Sequence, residues 1–113
     1  MTEEETQKKI SQLQLMEQNI QALLQQRQQF QQKIVEISSA LNEIKGTDKA
    51  FKIIGNIMVL KEKTELEKDL KHKKELMEIR IKNVEKQETQ IRSKAKDLQT
   101  EIMEKLEKEK SEK

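Results

Sequence analysis

The sequence predicts a mainly α-helical protein: a long antiparallel two-helix coiled coil with one β-hairpin at the connection. Three observations lead to this fold class. Two long stretches carry apolar residues at heptad spacing, the pattern of coiled-coil helices. Between them lies a short apolar segment interrupted by Gly55-Asn56, which is typical of a tight hairpin turn. The 113 residues include no Pro and only two Gly, so few positions would break a long helix.

The composition is not that of a compact globular protein, and the charge pattern does not indicate a nucleic-acid binder. Charged residues make up 39% and aromatic residues 2%, and there is no Cys. Lys and Arg number 23 against 21 Asp and Glu, and the two signs are interspersed along the chain, which indicates a solvated helix surface rather than a nucleic-acid footprint. No apolar run approaches the ~18 residues of a membrane span. We therefore expect neither nucleic acid nor membrane as partner. The acidic start does not resemble a secretory signal, and we expect a cytoplasmic protein.

We expect a single domain over residues 1–113. The first helix is predicted over 2–45, the hairpin region over 46–64 and the second helix over 65–108, with a frayed tail over 109–113.

The first helix has a start signal, an apolar seam and a stop signal. Thr2 and Glu5 fit a capping box, and Gly46 is placed to end the helix in the left-handed conformation. Gln fills many outward positions, such as Gln25-Gln26, which favours a solvated face. The seam has two rows, interrupted by Arg27: Leu13, Ile20, Ile34 and Leu41, then Met16, Leu23, Phe30, Ile37 and Ile44.

The hairpin is predicted to turn at Gly55 and Asn56, both of which tolerate the positive φ of a two-residue turn. Its expected cross-strand pairs are Ile54 with Ile57, Ile53 with Met58, and Phe51 with Leu60. Both faces are apolar, which is typical of a buried sheet, and one chain supplies too little cover. We therefore predict an oligomer interface at seven residues, the hairpin set: Phe51, Ile53, Ile54, Ile57, Met58, Val59 and Leu60.

The second helix is predicted to begin at a capping box formed by Thr64 and Glu67. One seam row contains Leu70, Met77, Val84, Ile91 and Leu98, and the other Ile81, Ala95 and Ile102, with Lys74 and Glu88 on the same row. If the helices fold back about Gly55-Asn56, then Leu13 lies beside Leu98. The seven-residue repeat also allows a register shifted by one heptad. In that register Arg27 lies opposite Val84, with its aliphatic stem packed and its charged head in water.

The hairpin segment Ala50-Phe51-Lys52-Ile53-Ile54-Gly55-Asn56-Ile57-Met58-Val59 resembles a family signature, an aromatic-Lys-x-aliphatic-Gly-x-aliphatic run. In the second helix, Val84-Glu85-Lys86-Gln87-Glu88 is similar to the same family's pattern around a Gln-Glu pair. The family is archaeal prefoldin, and a single hairpin resembles its β-type subunit rather than the two-hairpin α type. The likeness covers nearly the whole chain and is most specific at the hairpin.

This resemblance implies a function and a set of partners. Prefoldin is a hexamer of two α-type and four β-type subunits, whose hairpins assemble into β-barrels between subunits. Its coiled coils hold non-native polypeptides without ATP and pass them to a group II chaperonin. The resemblance therefore implies an α-type subunit, other copies of this chain, non-native proteins and a chaperonin as partners.

Client binding is predicted at the free end of the coiled coil, because the hairpin end is needed for assembly. There, Lys9 opposes Ile102 and is expected to leave it poorly covered, and Met side chains suit adaptable surfaces. These residues could equally widen the seam or be scattered surface apolars. The predicted client-binding residues, here called the terminal set, are Ile10, Leu13, Leu15, Met16, Leu98, Ile102, Met103 and Leu106.

Residues with catalytic or metal-binding chemistry are sparse. His72 is the only His and has cationic neighbours, which disfavours a metal ion, so we expect no metal and no cofactor. We expect no enzyme, since the acidic residues have no concave pocket around them. The leading interpretation is a chaperone subunit. The alternatives are a structural coiled-coil assembly or tethering subunit and, more weakly, a nucleic-acid binder using Lys71 to Lys74.

Overall fold

A computed structural model describes residues 2–112 of the chain. It contains two long helices with an antiparallel two-stranded hairpin between them, as the sequence predicts. The elements are α1 (Glu3–Lys45), β1 (Ala50–Ile54), β2 (Ile57–Lys61) and α2 (Lys63–Glu112). The chain divides into two compact units. The first unit comprises Met1–Arg27 with Asn83–Lys113, and the second comprises Gln28–Lys82.

The predicted capping box at the start of α1 is confirmed. The backbone N–H of Glu5 donates to Thr2 Oγ1 at 3.2 Å, and the backbone N–H of Thr2 donates to Glu5 Oε2 at 3.4 Å. Thr6 N–H closes the first helical turn on the Thr2 carbonyl at 3.0 Å. Three acidic residues in the first turn also suit the positive end of the helix dipole.

The end of α1 lies at Lys45 as predicted, but Gly46 does not end it in the left-handed conformation. Among the described residues, the glycine with positive φ is Gly55. Gly46 instead donates its N–H to the Glu43 carbonyl at 3.2 Å, which tightens the last turn. The expectation for Gly46 is wrong because other groups satisfy the last carbonyls of the helix.

Those groups are Thr47 and Lys63. Thr47 donates both its N–H and its Oγ1 hydroxyl to the Ile44 carbonyl, each at 3.1 Å. The Lys63 ammonium donates to the Lys45 carbonyl at 3.0 Å, so a cation from the start of α2 caps the negative end of α1.

The limits of α2 differ from the prediction at both ends. The helix begins at Lys63, and the Leu66 N–H donates to the Glu62 carbonyl at 3.0 Å, so Thr64 lies inside the helix and is not its cap. At the other end, α2 continues to Glu112, beyond the predicted helix end at residue 108. An i,i+4 pair between Lys105 and Glu109 at 3.6 Å supports the last turns. Lys113 lies outside the described residues.

The hairpin has the predicted cross-strand register. Phe51 pairs with Leu60, Ile53 with Met58 and Ile54 with Ile57. The turn differs in one respect: Gly55 has a φ of 60°, whereas Asn56 keeps a negative φ. Positive φ at the first central position alone is the pattern of a type II′ turn, which favours Gly at that position.

The heptad positions of both helices are the covered ones in each unit. In the first unit the buried apolar side chains of the seam are Ile20, Val84, Ala95, Leu98 and Ile102. Leu13, Met16, Leu23 and Ile91 are half-buried beside them. In the second unit Leu66 is buried, the predicted seam residues are half-buried, and the Arg80 guanidinium lies 6.0 Å from the centre of the Phe30 ring. The seam positions predicted from the heptad are confirmed by burial.

One ion pair lies within the seam of the first unit. Arg27 Nε donates to Glu88 Oε1 at 3.1 Å, and Glu88 is only 7% exposed. The Arg27 side chain is half-buried, and its head has a partner in the seam that the sequence analysis did not assign. A carboxylate at the seam position four residues after Val84 gives the guanidinium a partner, and a buried carboxylate requires such a partner.

Replacement of Gly55 and of Gly46 by alanine is expected to change the free energy of unfolding by different amounts. At Gly55, alanine has to adopt a φ of 60°, which costs an L-residue about 1–2 kcal/mol. At Gly46, an added Cβ meets only the Glu43 carbonyl oxygen, at an ordinary 3.8 Å. We expect Gly55→Ala to lower the free energy of unfolding by about that amount and Gly46→Ala to leave it unchanged or slightly raised. Urea unfolding followed by circular dichroism measures both, and equal losses would contradict the assigned turn geometry.

Substitution of the two partners of the seam ion pair is expected to lower the free energy of unfolding by different amounts. Arg27→Met leaves the Glu88 carboxylate buried and unpaired, so we expect a loss of about 3 kcal/mol in unfolding free energy. Glu88→Gln should cost less, about 1 kcal/mol, because the half-buried Arg27 head can reach water. The double variant Arg27→Leu with Glu88→Leu should match or exceed the wild type. A double variant less stable than Arg27→Met would contradict this account.

Candidate interaction surfaces

The hairpin exposes apolar side chains on both of its faces. All seven residues of the hairpin set are exposed, from 37% at Val59 to 68% at Ile53. The register puts the Phe51–Leu60 and Ile53–Met58 pairs on one face, and the alternation of strand side chains puts Ile54, Ile57 and Val59 on the other. Within the described chain the sheet has two strands, so both of its edges are open. Exposed apolar faces with open edges are typical of a surface that binds other chains.

A groove beside the hairpin extends this surface, and sequence reasoning missed it. It lies within the second unit, where Ile44, Leu66 and Leu70 supply apolar walls next to Phe51 and Ile53. Two small residues, Ala40 and Ala50, also line it, and they are the sequence signal that could have indicated a gap. Its charged lining residues are Glu43, Lys49, Lys52 and Lys73.

The terminal set divides into two groups. Leu13, Met16, Leu98 and Ile102 lie in the seam between α1 and α2, half-buried or buried. The remaining four lie outside the seam: Ile10 is half-buried, and Leu15, Met103 and Leu106 are exposed. The structure therefore leaves chiefly the second group accessible.

Ile102 is well covered, contrary to the expectation from sequence. Its exposed fraction is 7% although the charged Lys9 shares this part of the seam. The Lys9 ammonium forms an ion pair with Glu101 Oε2 at 2.6 Å, and Lys9 itself is half-buried. A lysine whose head lies at the surface can cover apolar neighbours with its methylene stem, and this explains why Ile102 is not exposed.

A polar network covers the seam beyond Ile102. Lys105 occupies the next seam position, and its ammonium donates to the Thr2 carbonyl at 2.7 Å and to Thr6 Oγ1 at 2.5 Å. Thr6 is buried, and its hydroxyl also donates to the Thr2 carbonyl at 3.0 Å. Polar side chains thus replace the apolar pairs at these positions, and each buried polar atom has a partner.

A groove in the first unit brings two members of the terminal set together. Ile10 and Leu106 both line it, whereas Leu15 and Met103 do not. Its charged lining residues are Glu3, Glu4, Lys8, Lys105 and Glu109. Two of the accessible apolar residues, Ile10 and Leu106, therefore share one groove.

The basic cluster from Lys71 to Lys74 does not form a joint binding surface, and the described residues contain no metal-binding cluster. Lys71, His72 and Lys73 are exposed, but Lys74 is half-buried on the seam, so the four do not share one face. Among residues 2–112 no group of three His, Cys, Asp or Glu side chains is placed to hold a metal ion. Neither helix within residues 2–112 has the length and hydrophobicity that a membrane span requires.

Comparisons with known proteins agree on one family. A family model described as prefoldin subunit matches residues 7–109. The chain is 34% identical over 96 residues to prefoldin subunit beta of Archaeoglobus fulgidus, covering 82% of this chain and 83% of that protein. It is 33% identical over 107 residues to prefoldin subunit beta of Saccharolobus islandicus, covering 92% of this chain and 85% of that protein.

A solved structure shows the same fold. The crystal structure of the prefoldin beta subunit from Thermococcus strain KS-1 superposes with a TM-score of 0.83 at 31% identity. The match covers 90% of this chain and 92% of that chain.

Proposed function

This chain belongs to the prefoldin family and is a chaperone subunit, and we propose that it occupies the β-type position of a hetero-hexamer. In that assembly it holds non-native polypeptides without ATP and passes them to a group II chaperonin in the cytoplasm. The assembly partners are an α-type prefoldin subunit and other copies of this chain. The proposed activity includes no catalytic step, no cofactor and no nucleic acid.

The exposure of the hairpin set supports the proposed assembly with other subunits. Seven large apolar side chains lie within ten consecutive residues, and none is buried by the rest of the described chain. Burial of one such side chain contributes about 1.5–3 kcal/mol. Hairpins from several subunits that pair edge to edge into a β-barrel would bury the inward face of each hairpin and satisfy both open edges.

Client holding rests on the accessible residues of the terminal set. Non-native polypeptides expose apolar segments, which bind exposed apolar side chains such as Leu15 and Leu106. Met103 is flexible and polarizable, so it can adapt to different client side chains. Several subunits in one assembly would add weak contacts by multivalency, and release then requires loss of only a few of them.

Assembly through the hairpin predicts a specific dissociation. Ile53→Lys with Met58→Glu puts opposite charges on a directly facing pair, so the free hairpin keeps an attractive contact. Burial of these charges in an interface is costly, and we expect the hexamer, reconstituted with an α-type subunit, to dissociate. Analytical ultracentrifugation measures this change.

The matched control is Val35→Lys with Ile79→Glu, two exposed apolar residues of the helices. It should leave the assembly intact. A hairpin variant that sediments like the wild type would rule out assembly through the hairpin.

Client holding predicts a loss of protection without loss of assembly. We expect Leu15→Ser, Met103→Ser and Leu106→Ser together to reduce suppression of aggregation severalfold, because the variant removes exposed apolar surface and spares the seam. Light scattering of an unrelated, chemically unfolded protein, measured without nucleotide, reports this activity.

The control is Val35→Ser, Leu76→Ser and Ile79→Ser, three exposed apolar residues of the second unit. It should protect as well as the wild type. If the wild-type assembly itself gives no protection, the alternative of a structural or tethering subunit is favoured instead.

A further inference from the structure

A second groove in the first unit differs from its surroundings by having no charged lining residue. We propose that this amide groove binds the main chain of an extended, non-native polypeptide, an inference that rests on the proposed chaperone function. The groove lies between α1 and α2, apart from the terminal set. Its lining consists of four carboxamide residues, two half-buried apolar residues and one Ala: Asn19, Gln26, Gln87 and Gln90, then Leu23 and Ile91, and Ala22.

The absence of charge is unusual for this chain. Charged residues make up 39% of the sequence, yet between positions 10 and 32 only Glu17 and Arg27 are charged. Three other surface grooves of the described residues each include charged side chains. Examples are Arg92 in one, Lys73 in another and Glu109 in the third.

The carboxamides occupy positions that are commonly charged in a coiled coil. Asn19 and Gln26 lie four residues before and three residues after the seam residue Leu23, and Gln87 lies four residues before the seam residue Ile91. These flanking positions of a coiled coil commonly carry Glu or Lys, which form ion pairs across the helices. Here neutral amides take their place, so this side of the seam has no ion pair between the flanking residues.

Carboxamides match the chemistry of a polypeptide main chain. Each Asn or Gln side chain offers two N–H donors and one carbonyl acceptor, while each client residue other than Pro offers one N–H and one C=O. Within the described residues, none of the four carboxamides forms a hydrogen bond to another protein group. They are exposed and available to a ligand.

The groove also sets the length and character of the bound segment. From Asn19 to Gln26 the helix rises about 10 Å, at ~1.5 Å per residue. An extended chain covers that distance with about three residues, at ~3.3 Å each. Leu23 and Ile91 form an apolar floor between the amides, and the small Ala22 leaves room beside it. The preferred ligand is therefore an extended stretch of about three residues with small or apolar, uncharged side chains.

Neutral amides suit a protein that binds many sequences. A charged lining would repel clients of like charge, and burial of an ion under a ligand has a high desolvation cost. Main-chain groups are common to all clients, so recognition of the main chain depends little on sequence. Single hydrogen bonds in water contribute little, and several subunits acting together supply the affinity.

The test uses the assembled oligomer and a labelled, permanently unfolded polypeptide without net charge, with binding measured by fluorescence anisotropy. Gln26→Glu with Gln87→Glu keeps side-chain size and adds two charges to the groove. The matched control, Gln14→Glu with Gln99→Glu, adds the same charge to exposed residues outside it, one on each helix. We expect about a tenfold rise in Kd for the groove variant and less than a twofold change for the control. Equal effects of the two variants would overturn the proposal.

A second measurement separates main-chain from side-chain recognition. A short neutral peptide is compared with its backbone N-methylated form, which keeps the side chains and lacks N–H donors. We expect N-methylation to weaken binding to the wild type severalfold and to have little effect on Gln26→Ala with Gln87→Ala, which adds no charge. Equal losses in both proteins would overturn main-chain recognition by these amides.

The remaining outcomes are also distinguishable. If the wild-type oligomer binds the unfolded polypeptide but the groove and control variants bind alike, the amide groove is excluded while chaperone function stands. If the wild type binds no unfolded polypeptide, the proposed function fails. If the groove variant changes the sedimentation coefficient, the groove holds another copy of the chain and the proposal is overturned.

Discussion

The apolar heptad shared by α1 and α2 is the interaction on which the other features of this protein depend. In each unit the covered side chains recur every three or four residues, and most positions between them are exposed. One apolar stripe of each helix is thereby used for folding. Apolar residues outside the stripe, such as Leu15 and Met103, have no cover in the chain and remain available to other molecules.

The exposure of the hairpin has the same cause, because the apolar stripes of the two helices pack against each other. A two-helix seam has no second layer with which to cover a sheet, so Ile53 and Met58 stay exposed although their residue types favour burial. In a chain without a large core, such side chains are best explained by intermolecular burial. The exposed hairpin set is therefore the proposed contact with other subunits, and the exposed apolar residues of the helices are the proposed contact with clients.

Polar groups in the first unit divide into two kinds with different consequences. Arg27 with Glu88 and Lys9 with Glu101 are paired charges, which fix neighbouring side chains without leaving a free charge in the seam. The carboxamides around Leu23 and Ile91 are unpaired and neutral. Both kinds suit the proposed function, because paired charges keep the helices together while the neutral amides and exposed apolar residues are the proposed contacts for chains of varied sequence.

The sequence by itself determined the features that depend on local or periodic patterns. The two helices, the seam positions, the capping box at Thr2 and the hairpin register all follow from heptad spacing, cap chemistry and the Gly55-Asn56 pair, each of which acts within a few residues. The family signature at the hairpin lies in the same short segment and was equally accessible.

Tertiary structure alone decided what each side chain meets on the other helix. Glu88 reaches Arg27, Lys9 reaches Glu101 while Ile102 is buried, and Gln87 joins Asn19 and Gln26 in one groove. The ends of the helices were also decided by distant groups, since Lys63 caps α1 where Gly46 was expected to do so. These contacts join residues 18 to more than 60 positions apart in sequence, and a periodic pattern on one helix does not specify the partner side chain across the seam.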